Sequence, residues 1–238
     1  MNAIAERLAQ VTERIQQAAQ RAGRSLVDVR LVVVTKGHSA QVAFEAAQAG
    51  ARFLGENYVE EALEKQPALA GLAVQWHMIG HVQSRKAEEV SQNFDYLHSL
   101  DNLKLAKRLA RFAQEANRTL PVLLECNTSG EENKFGFAVW DETRWPDLLP
   151  EVEEIAGLPH LKIRGLMTMA PFLPDPESTR AYFRRLRMLR DYLAARLPQG
   201  DWQELSMGMS GDFEVAIQEG ATWVRIGQAI LGPRPVHN

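Results

Sequence analysis

The feature that most constrains the fold is a short apolar run that ends in a charged side chain. Residues 31–36 read LVVVTK, with no polar alternation before the threonine and the lysine. Such a run is typical of a strand that is buried on both faces of a parallel sheet. Because lysine is rarely buried unless it is paired or has reacted, Lys36 marks the carboxyl end of the strand, where α/β folds bind ligands.

Lys36 itself has two interpretations. Desolvation lowers the pKa of a lysine, and the neutral amine can then condense with a carbonyl compound to form a Schiff base. Alternatively, Lys36 only marks the place where the strand meets solvent. The strand alone leaves both interpretations open.

Length, charge and cysteine content define the class of protein. The 238 residues, 45% of them hydrophobic, predict a single domain over residues 1–238 with one sizeable core. A net charge of −3 argues against nucleic acid or an anionic membrane as a partner. The single cysteine, the lack of a long apolar stretch and the charged N-terminal region together predict a soluble cytoplasmic protein without an internal disulfide.

Short apolar runs alternate with helical patterns along the chain, after an opening helix over residues 2–22. Eight strands separated by helices favour an α/β fold of the TIM (β/α)8 barrel type, with an open doubly wound sheet as the alternative. The predicted strands cover residues 29–36, 52–56, 74–80, 96–100, 120–127, 161–169, 203–208 and 222–228.

The two ends of the chain predict one further contact. Only AILGPRP and a few more residues follow the eighth strand, so no long eighth helix is expected there. Strands one and eight are neighbours in a closed barrel, and the opening helix is therefore predicted to cover that gap. Asp101 is predicted to cap the helix after the fourth strand.

The segment LSMGMSGDFEVAI, residues 205–217, predicts an anion site at the end of the seventh strand. Ser210 is expected to cap the following helix, whose free amides and dipole favour negative charge. The alternative is an ordinary cap without a ligand.

The segment VRIGQAILG, residues 224–232, predicts a second contact with the same ligand. Strand alternation places Val224 and Ile226 towards the helices and directs Arg225 into the barrel. The amides of Gly227 and Gln228 are expected to bind phosphate, because barrels often bind it after strands seven and eight. The alternative for Arg225 is an internal pair with a carboxylate.

The segments GENY, residues 55–58, and WHMIGHVQSRK, residues 76–86, supply further polar groups. Asn57 can donate and accept hydrogen bonds at the same time. His77 could titrate near neutral pH, but a histidine within an apolar strand is more often a core residue with its hydrogen bonds satisfied.

The chain resembles the pyridoxal phosphate homeostasis proteins (YggS/PROSC-like). The resemblance covers roughly residues 5 to 234 and rests on motifs that occur in the family's order and spacing: VTK, GENY, WHMIGHVQSRK, NKFG, GLMTM, LSMGMSGDFEVAI and VRIGQAI. It implies a fold-type III barrel, similar to the N-terminal domain of alanine racemase, that binds pyridoxal 5′-phosphate.

The resemblance also implies roles for individual residues. Lys36 would form the Schiff base, Asn57 and Arg225 would lie near the ring, and the phosphate would be held by a separate group of residues. That group is Ser210, Gly227 and Gln228, with Ser206 and Met207 also lining the site. Three positions depart from the family pattern: His81 replaces a frequent proline, Arg85 a frequent asparagine and Gln228 a frequent threonine. The last change favours phosphate binding through backbone amides.

The implied function is storage, buffering or delivery of the cofactor, with pyridoxal phosphate-dependent apoenzymes as partners and no strong catalytic turnover. A racemase would need a further domain, and none is expected because the chain ends at Asn238. The main alternative is a pyridoxal phosphate-dependent racemase or related enzyme, with Lys36 as one base and His77 or Tyr58 as the other. A Schiff-base aldolase without a cofactor and a scaffold that binds nothing are the others. A monomer and a dimer both fit the surface pattern.

Overall fold

A computed structural model describes residues 3–234 of the chain. Within that range the structure contains nine strands: β1 (Arg30–Val34), β2 (Phe53–Glu56), β3 (Gln75–Met78), β4 (Tyr96–Leu100), β5 (Leu120–Asn127), β6 (Phe137–Ala138), β7 (Leu161–Met167), β8 (Glu204–Ser206) and β9 (Trp223–Ile226). The α-helices are α1 (Ala3–Arg21), α2 (Ala40–Gln48), α3 (Val59–Lys65), α4 (Ala87–Asn93), α5 (Leu103–Glu115), α6 (Trp145–Ala156), α7 (Arg180–Arg196), α8 (Phe213–Gln218) and α9 (Gln228–Leu231).

Eight of the strands form a closed parallel ring in the order β1-β2-β3-β4-β5-β7-β8-β9. The β1–β9 and β4–β5 pairings both exist, so the sheet has no open edge between them. The predicted TIM barrel is confirmed, and the open sheet is wrong. The additional strand β6 pairs with the end of β5 outside the ring. It was not predicted, because two residues are too few to show a periodic pattern.

Alternation along the strands separates the barrel interior from the layer between the strands and the helices. Val32 and Trp223 belong to the interior cluster, whereas Val33, Val224 and Ile226 pack in the outer layer. Arg225 therefore lies on the inner side of β9, as the alternation predicted. The inner side of β1 leads in the same way through Val34 to the residues at the barrel mouth.

Helix α1 takes the place of the long helix that does not follow β9. It packs against α8 and the four-residue α9. Its apolar side is buried, and Arg7 Nε donates to the carbonyl oxygen of Ile230 at 2.5 Å. Arg14 forms an ion pair of 2.6 Å with Glu214. The predicted contact is confirmed. No helix within residues 3–234 has the length and apolar content to cross a bilayer.

Two predicted helix caps are wrong. Asn102, not Asp101, caps α5, accepting the Leu105 N–H at 2.8 Å. The N-cap residue of α8 is Asp212 rather than Ser210. The physical reason is a turn before the helix: the Asp212 carboxylate accepts the Met209 N–H at 2.6 Å, which leaves Ser210 inside the turn, two residues before the cap.

Candidate functional site

A cavity of about 760 Å³ lies at the carboxyl ends of the barrel strands. Its volume is within the range of pockets that enclose small organic ligands. Six of the eight residues proposed from the sequence line it: Lys36, Asn57, Ser210, Arg225, Gly227 and Gln228. Ser206 and Met207 do not line it, contrary to expectation, because both side chains are fully buried below the cavity.

Lys36 follows β1 by two residues and lies in the cavity wall. Burial lowers the pKa of its amine, and the positive charges of Arg234 and Arg225 lower it further. A lowered pKa increases the share of neutral amine, which is the form that attacks a carbonyl carbon. Lys36 therefore has the environment expected of a Schiff-base lysine.

A buried ion pair holds the backbone next to Lys36. The Lys65 ammonium contacts Glu56 Oε1 at 2.6 Å and donates to the carbonyl oxygen of Thr35 at 2.9 Å. The Thr35 hydroxyl donates to the same carboxylate oxygen at 2.6 Å. Since Thr35 directly precedes Lys36, this network fixes the direction in which the lysine leaves the strand. It joins residues far apart in the sequence, and the sequence gave no indication of it.

Arg225 lies in the cavity wall without a carboxylate partner. Its Nη1 donates to the Ser206 hydroxyl at 2.6 Å and its Nη2 to the carbonyl oxygen of Thr168 at 2.9 Å. No acidic side chain of residues 3–234 lies within ion-pair distance of the guanidinium, so the alternative of an internal ion pair is wrong. Burial lowers the pKa of Arg225 to about 10, which still leaves it positively charged at neutral pH.

Below Arg225 the barrel interior contains a chain of hydrogen bonds. The Ser206 hydroxyl contacts His98 Nδ1 at 2.8 Å, and His98 Nε2 contacts His77 Nδ1 at 2.9 Å. Burial lowers the pKa of His77 to about 3, so this imidazole is neutral. His77 does not line the cavity. It is a core residue, as one of the two interpretations held, although its Nε2 has no partner in the described part of the chain.

The ends of β8 and β9 form a side of the cavity that suits an anion. Ser210, Gly227, Gln228 and Arg234 all line it. A Cβ atom at Gly227 would lie 3.0 Å from the carbonyl oxygen of Val34, so a side chain at Gly227 would crowd the adjoining strand. Helix α9 starts at Gln228, and the first N–H groups of a helix have no acceptor within it. These free amides and Arg234 can bind phosphate oxygens.

The opposite side carries Asn57 and the loop after β3. A Cβ atom at Gly80 would lie 2.4 Å from the carbonyl oxygen of Asn57, so glycine allows the two backbones to touch. His81 also lines the cavity; its Nδ1 contacts Asp101 Oδ2 at 2.9 Å and its ring stacks on Phe135 at 3.8 Å. The residue that departs from the family pattern therefore forms part of the cavity mouth.

Sequence reasoning missed two residues of the cavity wall, Glu125 and Arg234. Glu125 is only 3% exposed, and burial together with the charge of Asp101 raises its pKa to about 7. A signal for it existed: Glu125 interrupts the apolar run LLEC as Lys36 ends the run LVVVTK. Arg234 follows the last helix in a loop and had no such signal.

Together these groups can hold an aldehyde that carries a phosphate. The amine that would condense with the aldehyde and the amides that would hold the phosphate lie in the same cavity, and the Arg225 guanidinium lies between strands β8 and β1. This arrangement fits pyridoxal phosphate.

Comparison with known proteins agrees with this fit. The family model described as "Alanine racemase, N-terminal domain" matches residues 7–235. A pyridoxal phosphate homeostasis protein of Pseudomonas aeruginosa is 44% identical, over 98% of this chain and 97% of its own length. PipY of Synechococcus elongatus, solved with PLP bound, is 36% identical with a TM-score of 0.83, over 96% of this chain and 100% of its own.

A more distant neighbour shares the fold alone. Alanine racemase of Clostridium difficile is 16% identical with a TM-score of 0.73, and the alignment covers 99% of this chain but 58% of the racemase. The extensive identity to the first two proteins is much more specific. The chain therefore belongs to the alanine racemase N-terminal domain family and, within it, to the pyridoxal phosphate homeostasis proteins.

Proposed function

We propose that this protein binds pyridoxal 5′-phosphate through a Schiff base on Lys36 and stores, buffers or delivers it within the cell. The observation that carries the proposal is the position of Lys36: its amine has a lowered pKa and lines the same cavity as the anion-binding ends of β8 and β9. The names of the relatives and the PLP-bound neighbour support it.

The other lining residues have roles consistent with this proposal. Ser210, Gly227, Gln228 and Arg234 would bind the phosphate, and Asn57 and Arg225 would contact the ring. Two buried residues act from below: Ser206 holds the Arg225 guanidinium, and Met207 packs in the outer core. When bound, the cofactor supplies a reactive aldehyde, and Lys36 retains it by a reversible covalent bond.

The geometry favours a non-enzymatic role over racemisation. An acid–base residue has to reach the substrate, and His77 is enclosed in the barrel below the cavity. Of the two candidate second bases, only Tyr58 lines the cavity, where it is 61% exposed. A carrier that delivers its cofactor would meet pyridoxal phosphate-dependent apoenzymes in the cytoplasm, and we include them as proposed partners.

The proposal predicts that Lys36→Ala abolishes covalent cofactor binding. Purified wild-type protein mixed with pyridoxal phosphate should show a visible absorbance band that disappears on borohydride treatment. Intact-mass analysis should then show a gain equal to the reduced cofactor, mapped to the peptide that contains Lys36. The variant should show neither signal, while its circular dichroism stays that of the wild type, since Lys36 is only half-buried and contributes little to the core.

Lys86→Ala is the matched control, because Lys86 also lines the cavity but forms ion pairs with Glu60 at 2.6 Å and Glu89 at 3.2 Å. Those carboxylates raise the pKa of its ammonium, which keeps it unreactive. A mass gain on the Lys36→Ala protein, or its loss in Lys86→Ala, would contradict the assignment of the lysine.

A further inference from the structure

The cavity contains a second end that the cofactor site does not use. The anion-binding end is formed by β8 and β9, next to β1 and Lys36. Strand β5, which carries Glu125, is the fourth strand from β1 in either direction around the ring. Glu125 therefore lies across the barrel mouth from Lys36, at a wall with a negative rather than a positive charge.

The Glu125 carboxylate lacks a hydrogen-bond donor. The residue is 3% exposed and lines the cavity, yet its Oε2 has no partner among residues 3–234. Arg225 does not supply one, because its Nη1 and Nη2 donate to Ser206 and to Thr168. A buried acceptor without a donor destabilises a protein by about 1–3 kcal/mol. A donor from a ligand in the cavity would remove that cost.

The mouth of the cavity on this side is apolar. Phe135, Met169 and Phe172 line it and are 52%, 38% and 93% exposed. Phe135 stacks on His81, whose Nδ1 contacts Asp101, so the aromatic pair is fixed from behind. Large apolar side chains that are exposed together around a cavity are typical of a ligand-binding surface.

We propose that Glu125 and the apolar mouth of Phe135, Met169 and Phe172 form a subsite for a small protonated amine that carries an apolar or aromatic group. The ammonium group would donate to the Glu125 carboxylate, and the apolar group would lie against the three side chains. The raised pKa of Glu125, about 7, agrees with a carboxylate that an adjacent cation would stabilise in its charged form. The subsite is independent of the Schiff base on Lys36.

The test uses 2-phenylethylamine as the probe and 2-phenylethanol as its uncharged analogue. The protein is first loaded with pyridoxal phosphate and reduced with borohydride, so that the probe cannot exchange with Lys36. Isothermal titration should show that the amine binds at least about tenfold more tightly than the alcohol, the ratio expected for one hydrogen bond between charged groups. Glu125→Gln should remove this preference and leave the affinity for the alcohol unchanged.

Glu60→Gln is the control, since Glu60 also lines the cavity but its carboxylate contacts Lys86 at 2.6 Å. This variant should keep the preference for the amine. Equal affinities of the wild type for amine and alcohol would overturn the subsite without any variant, as would a loss of preference in Glu60→Gln or its persistence in Glu125→Gln. If Lys36 takes up no cofactor, the proposed function fails, and the same titration of the unloaded protein still tests the subsite.

Discussion

At the residue scale, the barrel interior is more polar than its strands suggest. His77 and His98 lie in contact at 2.9 Å among the rings of Tyr96 and Trp223. Both imidazoles are buried, which favours their neutral forms. The chain continues through Ser206 to Arg225 in the cavity wall, so the packing of the core and the position of a ligand-binding cation are physically connected.

The buried pair predicts that the protein loses stability in mild acid. The pKa of His77 is about 3 in the folded chain and about 6.5 in the unfolded chain, so between those values only the unfolded chain binds the proton. The contribution is intact above about pH 6.5 and decreases by about 1.4 kcal/mol per pH unit as the pH falls below it. Urea unfolding at several pH values measures the free energy directly.

The matching variants are His77→Gln and His160→Asn. His77→Gln should have a shallower dependence on pH, because it removes this titration. His160 lies outside the barrel interior, where its Nδ1 contacts the carbonyl oxygen of Arg118, and His160→Asn should keep the wild-type slope. An unchanged slope in His77→Gln would show that another group is responsible.

At the element scale, helix α1 has the role that a final barrel helix would otherwise have. Its buried residues Leu8, Val11 and Ile15 face the barrel, and it contacts α8 and α9. This contact could be anticipated from the sequence, since the apolar stripe of α1 and the short segment after β9 are both local patterns. The caps of α5 and α8 could not, because a shift by one or two residues depends on which polar side chain a turn brings into reach.

We expect Ile15→Ala in α1 to lower the free energy of unfolding by about 2–5 kcal/mol, the range for truncation of a buried aliphatic side chain. Ile15 is 2% exposed. Gln10→Ala on the exposed side of the same helix should change it by no more than about 0.5 kcal/mol. Chemical denaturation of the three proteins gives the comparison. Similar values for both variants would mean that α1 does not stabilise the barrel.

At the scale of the whole molecule, closure of the ring depends on an irregularity in β7. Val122 of β5 pairs with Ile163 and Leu123 pairs with Gly165, which leaves Arg164 as an extra residue. The bulged Arg164 forms an ion pair of 2.6 Å with Asp201. Gly165 has a φ of +152°, and a Cβ atom there would lie 1.8 Å from the carbonyl oxygen of Glu204. Glycine therefore allows β7 and β8 to pair.

Gly165→Ala should prevent or severely weaken this pairing, with a loss of about 3 kcal/mol or more, because the clash is with backbone atoms that cannot move aside. Gly157→Ala is the control: at a φ of −82° its nearest neighbours would lie 3.6 Å from the new methyl group. It should leave stability unchanged or raise it slightly. Soluble yield and thermal unfolding distinguish the two, and a Gly165→Ala protein as stable as the wild type would contradict this explanation of the ring.

The sequence by itself determined the order of strands and helices, the closed barrel and the site around Lys36, Arg225 and Gly227. These follow from apolar periodicity, from charged residues at strand ends and from motifs, all of which are local in the chain. The tertiary structure decided which distant residues meet: Lys65 with Glu56, His77 with His98, and Ser206 beneath Arg225 instead of in the cavity wall. It also placed Glu125 opposite Lys36. The physical reason is that closing an eight-strand ring brings together side chains from every strand, and no local pattern records the distance between them.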